Sequence, residues 1–324
     1  MKRFAALVVV LAAALVVPMT TVAQTAFPAR SVRILCPFPP GGGVDITARA
    51  IAHELTPLLG QPVVVENRPG AGGNVAAGEV ARSAPDGHTL LLTLNALHAI
   101  SPHLYAKLPF DALKDFSFIT PLVSFNNVLV VSPASHRASV QDLVAAAKRE
   151  PGKLTFASSG NGTNLHLVGE LFKTRAGIDI VHVPYKGSAP ALTDLMGGNV
   201  AMMFDTIPSA VSHVRSGKLR ALGVTGARRS PLFADVPTLA ESGLPGFEVV
   251  SWYGLVGPAG LPPEVLRRLN ADAAKAAASR DFRARMEPLG FEIVTATPEK
   301  MVEMLQADSA RWGAVIKAAG VTIN

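Results

Sequence analysis

Cysteine is almost missing from this chain: Cys36 stands alone among 324 residues. One thiol excludes an intrachain disulfide framework and a cysteine-built zinc site. Charge is sparse as well. Asp, Glu, Lys and Arg make up 17% of residues against 49% hydrophobic, too little charge for a disordered chain and enough apolar material for packed cores. The formal net charge is +6, but the basic residues are scattered. They form no Lys/Arg stripe interleaved with aromatics, so nucleic acid is not an expected partner. No apolar run reaches the roughly 20 residues a spanning helix needs.

Catalytic motifs are missing too. The phosphate-loop pattern GxxxxGK[ST] does not occur. Gly70-Ala71-Gly72 and Gly160-Asn161-Gly162 each open a GxGxxG, but Val75 and Leu165 occupy the last glycine's place. His53-Glu54 opens an HExxH that Pro57 breaks. Ser159 lacks the glycine of a nucleophile elbow two residues earlier, where Ala157 stands, and no Ser-x-x-Lys occurs. The eight histidines are dispersed. A distant Ser/His/Asp set, as in a hydrolase or isomerase, is the enzymatic alternative, and His98 and His166 fall in or beside loops of interest. Cys36, in an apolar strand, reads as core packing.

Two things are present. The first is an N-terminal address. Lys2-Arg3 precedes the apolar run Phe4 to Val17, and Thr21-Val22-Ala23 offers small residues ahead of Gln24. This pattern predicts a secretory signal peptide over residues 1–23, cleavage after Ala23 and a soluble periplasmic protein. The second is a repeated strand–loop–helix theme. Strands are predicted at 31–38, 63–65, 89–94, 128–131, 154–157, 180–184, 200–204 and 219–224. Helices are predicted at 45–59, 75–83, 140–149, 165–174, 189–196, 208–214, 264–278 and 299–319, with Asn95 to His98 a polar turn. The alternation predicts an α/β protein with mainly parallel sheets. Val128 to Val131 and Leu255-Val256 have similar exits into proline turns, as two crossings between lobes would.

The strand-to-helix loops share a composition. Residues 37–45, 94–100, 158–164, 185–190 and 204–209 are rich in glycine and small polar residues, with Lys186 their one fixed cation. Such loops lie at the carboxyl ends of strands, where helix N-termini present unpaired N–H groups and a partial positive charge. Several converging termini make a carboxylate or phosphate site built from neutral donors. Trp252 and Tyr253 read equally as a cleft wall or as core.

The segments VRILCPFPPGGGVDITAR, LGQPVVVENRPGAGGNVAAGEVARSAPDGHTLL, LTFASSGNGT, VPYKGSAPALTDLMGGNV, FDTIPSAV and WYGLVGPAGLPPEV together resemble the Bug family, the periplasmic receptors of tripartite tricarboxylate transport. The resemblance covers essentially the whole chain after the leader. It implies a two-lobe Venus flytrap, type II-like, with two crossing strands as hinge. The implied lobes are residues 24–126 with 250–324, and 127–249. It also implies a monomer that is not an enzyme and needs no cofactor or metal. Its partners would be a small organic carboxylate and inner-membrane transporter subunits, or a sensor kinase. Carried over, the ligand contacts fall on Phe38, Pro40, Gly41, Gly42 and Asp45, on Asn95 and His98, on Ser158, Gly160, Asn161 and Thr163, on Tyr185 and Lys186, and on Asp205. Asn95 to His98 departs from the small hydroxyl residues expected there. A charged Asp205 cannot favour an anion directly, and would instead accept hydrogen bonds.

Overall fold

The computed structural model describes residues 27–320, so the predicted signal peptide over residues 1–23 lies outside the described residues. The strands are β1 (Val32–Cys36), β2 (Val63–Asn67), β3 (Thr89–Leu94), β4 (Phe116–Val131), β5 (Thr155–Ser158), β6 (Val181–Pro184), β7 (Met202–Thr206), β8 (Arg220–Val224), β9 (Val250–Pro258) and β10 (Glu292–Ile293). The helices are α1 (Gly43–Leu59), α2 (Asn74–Ala81), α3 (Asn95–Ala99), α4 (Ser101–Leu104), α5 (Val140–Arg149), α6 (Asn164–Ala176), α7 (Ser188–Met196), α8 (Ile207–Arg215), α9 (Pro263–Ala278), α10 (Arg280–Met286) and α11 (Pro298–Ala319). The α/β class expected from the alternation is what the chain adopts, but the sheet is mixed and not mainly parallel, because the long strands β4 and β9 pair antiparallel with all their neighbours.

The strand order is β2-β1-β3-β9-β4-β7-β5-β6, with β8 and β10 also pairing β4. β1, β2 and β3 are mutually parallel, as are β5, β6 and β7, while β4 and β9 run antiparallel to their neighbours. The inner strands are buried on both faces, which explains their unbroken apolar reading. The edge strands β2 and β6 expose Val64 and Val181.

β4 is the spine. The sequence predicted only its last four residues, Val128 to Val131. It is 16 residues long, and two register shifts, one on each side of Thr120-Pro121, accommodate Pro121 in the antiparallel pairing. Up to Asn126 it pairs with β9; from Asn127 onward it pairs with β7 and β8. The chain returns beside that changeover. Thr225 Oγ1 accepts a hydrogen bond from Asn127 N at 2.9 Å and donates to Val249 O at 2.7 Å. Thr225 N donates to Asn127 O, and Val249 N donates to Thr225 O. One buried threonine thus ties together the outgoing and returning strands.

Asn95 to His98 is helical, not a turn. Leu94 is extended and the next residues coil directly, so the strand passes into a helix without a loop. Elsewhere the local chemistry behaves as its residue types dictate. Thr297 caps α11 by accepting from Lys300 N, with Pro298 at the first helical position. Gly60, in the left-handed region, closes α1.

Replacing Thr225 by valine keeps the shape and removes both side-chain hydrogen bonds, leaving a buried N–H and a buried C=O short of a partner. A loss of about 2–4 kcal/mol is expected, against a small loss for Thr225→Ser. Urea denaturation of both variants measures it.

Candidate functional site

A cavity of about 290 Å³ lies where the two parts of the sheet meet. Its walls come from the starts of five helices and from the paired strands β4 and β9. Gly41, Gly42, Gly43 and Val44 bring the first turn of α1; Leu94 and Asn95 bring that of α3. Thr163, Asn164 and Leu165 bring α6, Gly187 to Pro190 bring α7, and Thr206 and Ser209 bring α8. Phe125, Ser251 and Tyr253 close it from β4 and β9. α1 and α7 carry no side-chain cap, so their first-turn amides keep unused donor capacity. α6 and α8 are capped by Thr163 and Thr206, which accept from His166 N and Ser209 N.

The glycine-rich loop before α1 is braced from behind. Gly41 N donates to Asp45 Oδ2 at 3.0 Å. Asn67 Nδ2 donates to Asp45 Oδ1 at 2.9 Å and to Phe38 O at 2.8 Å. Arg49 pairs with the same carboxylate at 2.9 Å. Burial opposes the charge of Asp45, but hydrogen bonds from Arg49, Asn67 and Gly41 outweigh it and hold the carboxyl below its usual range. Asp45 therefore does not line the cavity; it positions the loop that does. Gly43 leaves little spare room, since a Cβ there would stand 3.3 Å from Phe291 Cζ and 3.4 Å from the Tyr253 hydroxyl.

Of the predicted residues, the structure brings Phe38, Pro40, Gly41, Gly42, Asn95, Thr163 and Lys186 to the cavity. Lys186 is the one charged side chain lining it among the described residues. The others lie elsewhere. His98 is buried in the core, bonded to Thr93 Oγ1 and Ala112 O, and burial pushes its imidazole down to about 4. Ser158 is fully buried and bonds His182 Nε2 at 2.6 Å. His182 stacks on His166 with ring centroids 3.8 Å apart. Burial holds both rings neutral, His166 at about 4 and His182, with His166 beside it, at about 3. Gly160, in the left-handed region, lets its loop pass the Tyr185 carbonyl, which a Cβ would meet at 3.2 Å. Asn161 is exposed and does not line the cavity; a Cβ on Gly72 would stand 3.9 Å from its carbonyl oxygen. Tyr185 donates its hydroxyl to Asp194 Oδ2 at 2.7 Å; burial, then Asp194, pushes the phenol up to about 12.

Asp205 lies behind the lining, fully buried. Ser188 Oγ donates to its Oδ1 at 2.7 Å, and Oδ2 has no hydrogen-bond partner among the described residues. Burial pushes this carboxyl up to about 6, against the hydrogen bonds of Ser188, Ser209 and the Thr206 amide.

The named candidates omit the lining residues Ser188, Thr206 and Ser209, although all three sit in loops whose composition marked them. Phe125 and Ser251 carry no local signal; they meet only through the pairing of β4 with β9. Tyr253 is both readings at once, buried among Phe125 and Phe291 and exposed to the cavity.

Because the folded Asp205 binds its proton more tightly than an unfolded one, it contributes stability below about pH 4 that is lost as pH rises through about 6. The contribution is up to about 3 kcal/mol. The difference in unfolding free energy between wild type and Asp205→Asn, measured from pH 4 to pH 8, should shift against the wild type by that order.

The comparisons bear on the whole chain. The family model described as the tripartite tricarboxylate transporter family receptor matches residues 47–321. BugT of Bordetella pertussis is 37% identical over 304 residues, 94% of this chain and 93% of its own. The structure of R. palustris Rpa4515 with adipate aligns at a TM-score of 0.88 and 36% identity, covering 91% of this chain and 99% of that one. MatC from Rhodopseudomonas palustris with bound malate aligns at 0.85 and 34%, covering 90% and 100%. Family match, relatives and architecture agree: the chain belongs to the receptor family of the tripartite tricarboxylate transporters, the Bug proteins among them.

Proposed function

We propose that this protein is a non-catalytic periplasmic receptor that closes two lobes on a small organic dicarboxylate and presents it to a tripartite transporter in the inner membrane. The observation that carries the reading is the convergence of helix first turns from both parts of the sheet on one cavity. Amides of α1 on one side and of α7 on the other suit an anion held at each end. The lobes of this reading are residues 24–126 with 250–324, and 127–249; the change of partner along β4 at Asn126 and Asn127 supports that division. Export rests on the leader pattern in residues 1–23.

The walls narrow the ligand. Phe38, Leu94, Phe125, Leu165, Pro190 and Tyr253 give the cavity an apolar waist. Its volume equals about ten waters' share of the liquid, room for a short hydrocarbon chain between two carboxylates. Two relatives' structures hold dicarboxylates, adipate and malate. An apolar waist favours the unsubstituted acid, because a hydroxyl placed against it loses water without gaining a partner. The hydrolase alternative draws no support here. The hydroxyls of Thr163, Ser188 and Ser251 bond Gly160 O, Asp205 and Asn164, and His98, His166 and His182 are engaged away from the lining.

A thermal-shift series with unbranched dicarboxylates should show stabilisation of about 2.7 kcal/mol where the ligand reaches 100 times its Kd, a larger shift with adipate than with malate at equal concentration, and no turnover of either by mass spectrometry. Gly42→Pro removes one N–H from the loop at a backbone angle proline tolerates, φ −84°. Loss of one donor to a carboxylate predicts a roughly 10–100-fold weaker Kd in calorimetry with the fold retained. Unaltered affinity in that variant would contradict the placement of the carboxylate at α1.

A further inference from the structure

Ser188 and Asp205 stand one behind the other at the α7 end of the cavity. Ser188 opens α7 and lines the cavity; Asp205, on β7, is buried beneath it. A hydroxyl has one hydrogen to give, and here Ser188 gives it to Asp205 Oδ1 at 2.7 Å. While Asp205 is ionised, Ser188 therefore shows the cavity only lone pairs, which repel a carboxylate oxygen. With a proton on Oδ1 the roles reverse. The acid donates to Ser188 Oγ, and the Ser188 hydrogen is free to turn to the cavity. A bound anion favours the same change through charge, since two carboxylates separated by a single hydroxyl repel.

The surroundings place little in the way. β4 and β5 contain no ionisable side chain. Arg220 on β8 pairs with Val131, at the far end of β4 from Val128, the neighbour of Asp205. Ser209 on α8 and the amide of Thr206, the last residue of β7, also face the carboxyl. On α6, His166 and Glu170 face each other at 3.7 Å. On β9, Tyr253 faces Asp205, and its phenol is pushed up by burial and then by the Asp205 charge. Lys186 precedes α7 at the exposed edge of the lining. No cation is bonded to Asp205 among the described residues, so nothing but the Ser188, Ser209 and Thr206 donors holds it ionised.

We propose that the receptor takes up one proton when it captures a carboxylate: the proton passes from solvent to Asp205, and the Ser188 hydroxyl turns from Asp205 to the ligand. This deepens the carboxylate reading above and rests on it. Isothermal titration of the receptor with adipate and with malate, in phosphate and in Tris at pH 7 and pH 8, tests it. Both acids are fully ionised in that range, so their own titration adds nothing. The expected result is a buffer-dependent enthalpy equivalent to uptake approaching one proton per ligand, with affinity falling by up to about tenfold from pH 7 to pH 8. Asp205→Asn, whose amide donates to Ser188 at every pH, should bind with no proton uptake and a flat pH profile. Binding by the wild type with no proton uptake and no pH dependence would overturn this proposal and leave the carboxylate reading standing. Uptake that persists in folded Asp205→Asn would also overturn it, by assigning the proton elsewhere. Absence of binding by both acids would overturn the two together.

Discussion

A carboxylate that leaves water must find donors as good as the ones it gives up, and burying it unpaired is among the costliest things a protein can do. Helix first turns supply such donors without adding a full charge. Everything else about the cavity serves that constraint. The parallel strands put helix starts at one end of each sheet part. Glycines at 41–43 remove side chains from the approach. Asp45, Asn67 and Arg49 hold the loop from behind, so that it needs little further ordering when a ligand arrives. Donors that are neutral also let a ligand go more readily than a salt-bridged clamp would.

The same constraint explains why the buried acids are where they are. Asp45 is offset by Arg49 and stays ionised, so its charge works as a structural pin. Asp205 has no such cation and is pushed the other way by burial. Two carboxylates on the two sides of one cavity thus occupy opposite electrostatic settings. One is spent on geometry; the other remains able to change its protonation where a bound anion would be felt.

Much of this was legible where the chemistry is local. Thr297-Pro298 announced the start of α11, Gly60-Gln61-Pro62 the end of α1, and the five glycine-rich or hydroxyl-rich loops are the ones whose helices face the cavity. What stayed hidden depends on partners distant in sequence. The first eleven residues of β4 carry a proline and no clean alternation, and only their pairing with β9 makes them a strand. Phe125 and Ser251 reach the cavity through that pairing alone. His98 and Ser158 stand in the right loops but point inward, because α3 begins without a turn and because His182 draws the Ser158 hydroxyl back. Loop composition identifies which segments meet a ligand; it does not say which side of each segment does.

A two-lobe receptor must also avoid closing empty, and the junction of the strands bears on this. Asn164 begins α6 and lines the cavity, and its Oδ1 accepts from Asn127 Nδ2 on β4 and from Ser251 Oγ on β9. The cavity wall is therefore bonded to both crossing strands at the point where Thr225 ties outgoing chain to returning chain. Within this cluster Asn127 Oδ1 and Asn164 Nδ2 find no partner among the described residues. Each buried, unpaired polar atom costs about 1–3 kcal/mol, a cost that falls on the arrangement in which these groups are dry. A ligand shifts the balance between arrangements only by binding one better than the other. In the reading proposed above, donors contributed from both sides of the cavity provide that difference, because they surround a carboxylate together only when the two parts of the sheet are brought to the same place.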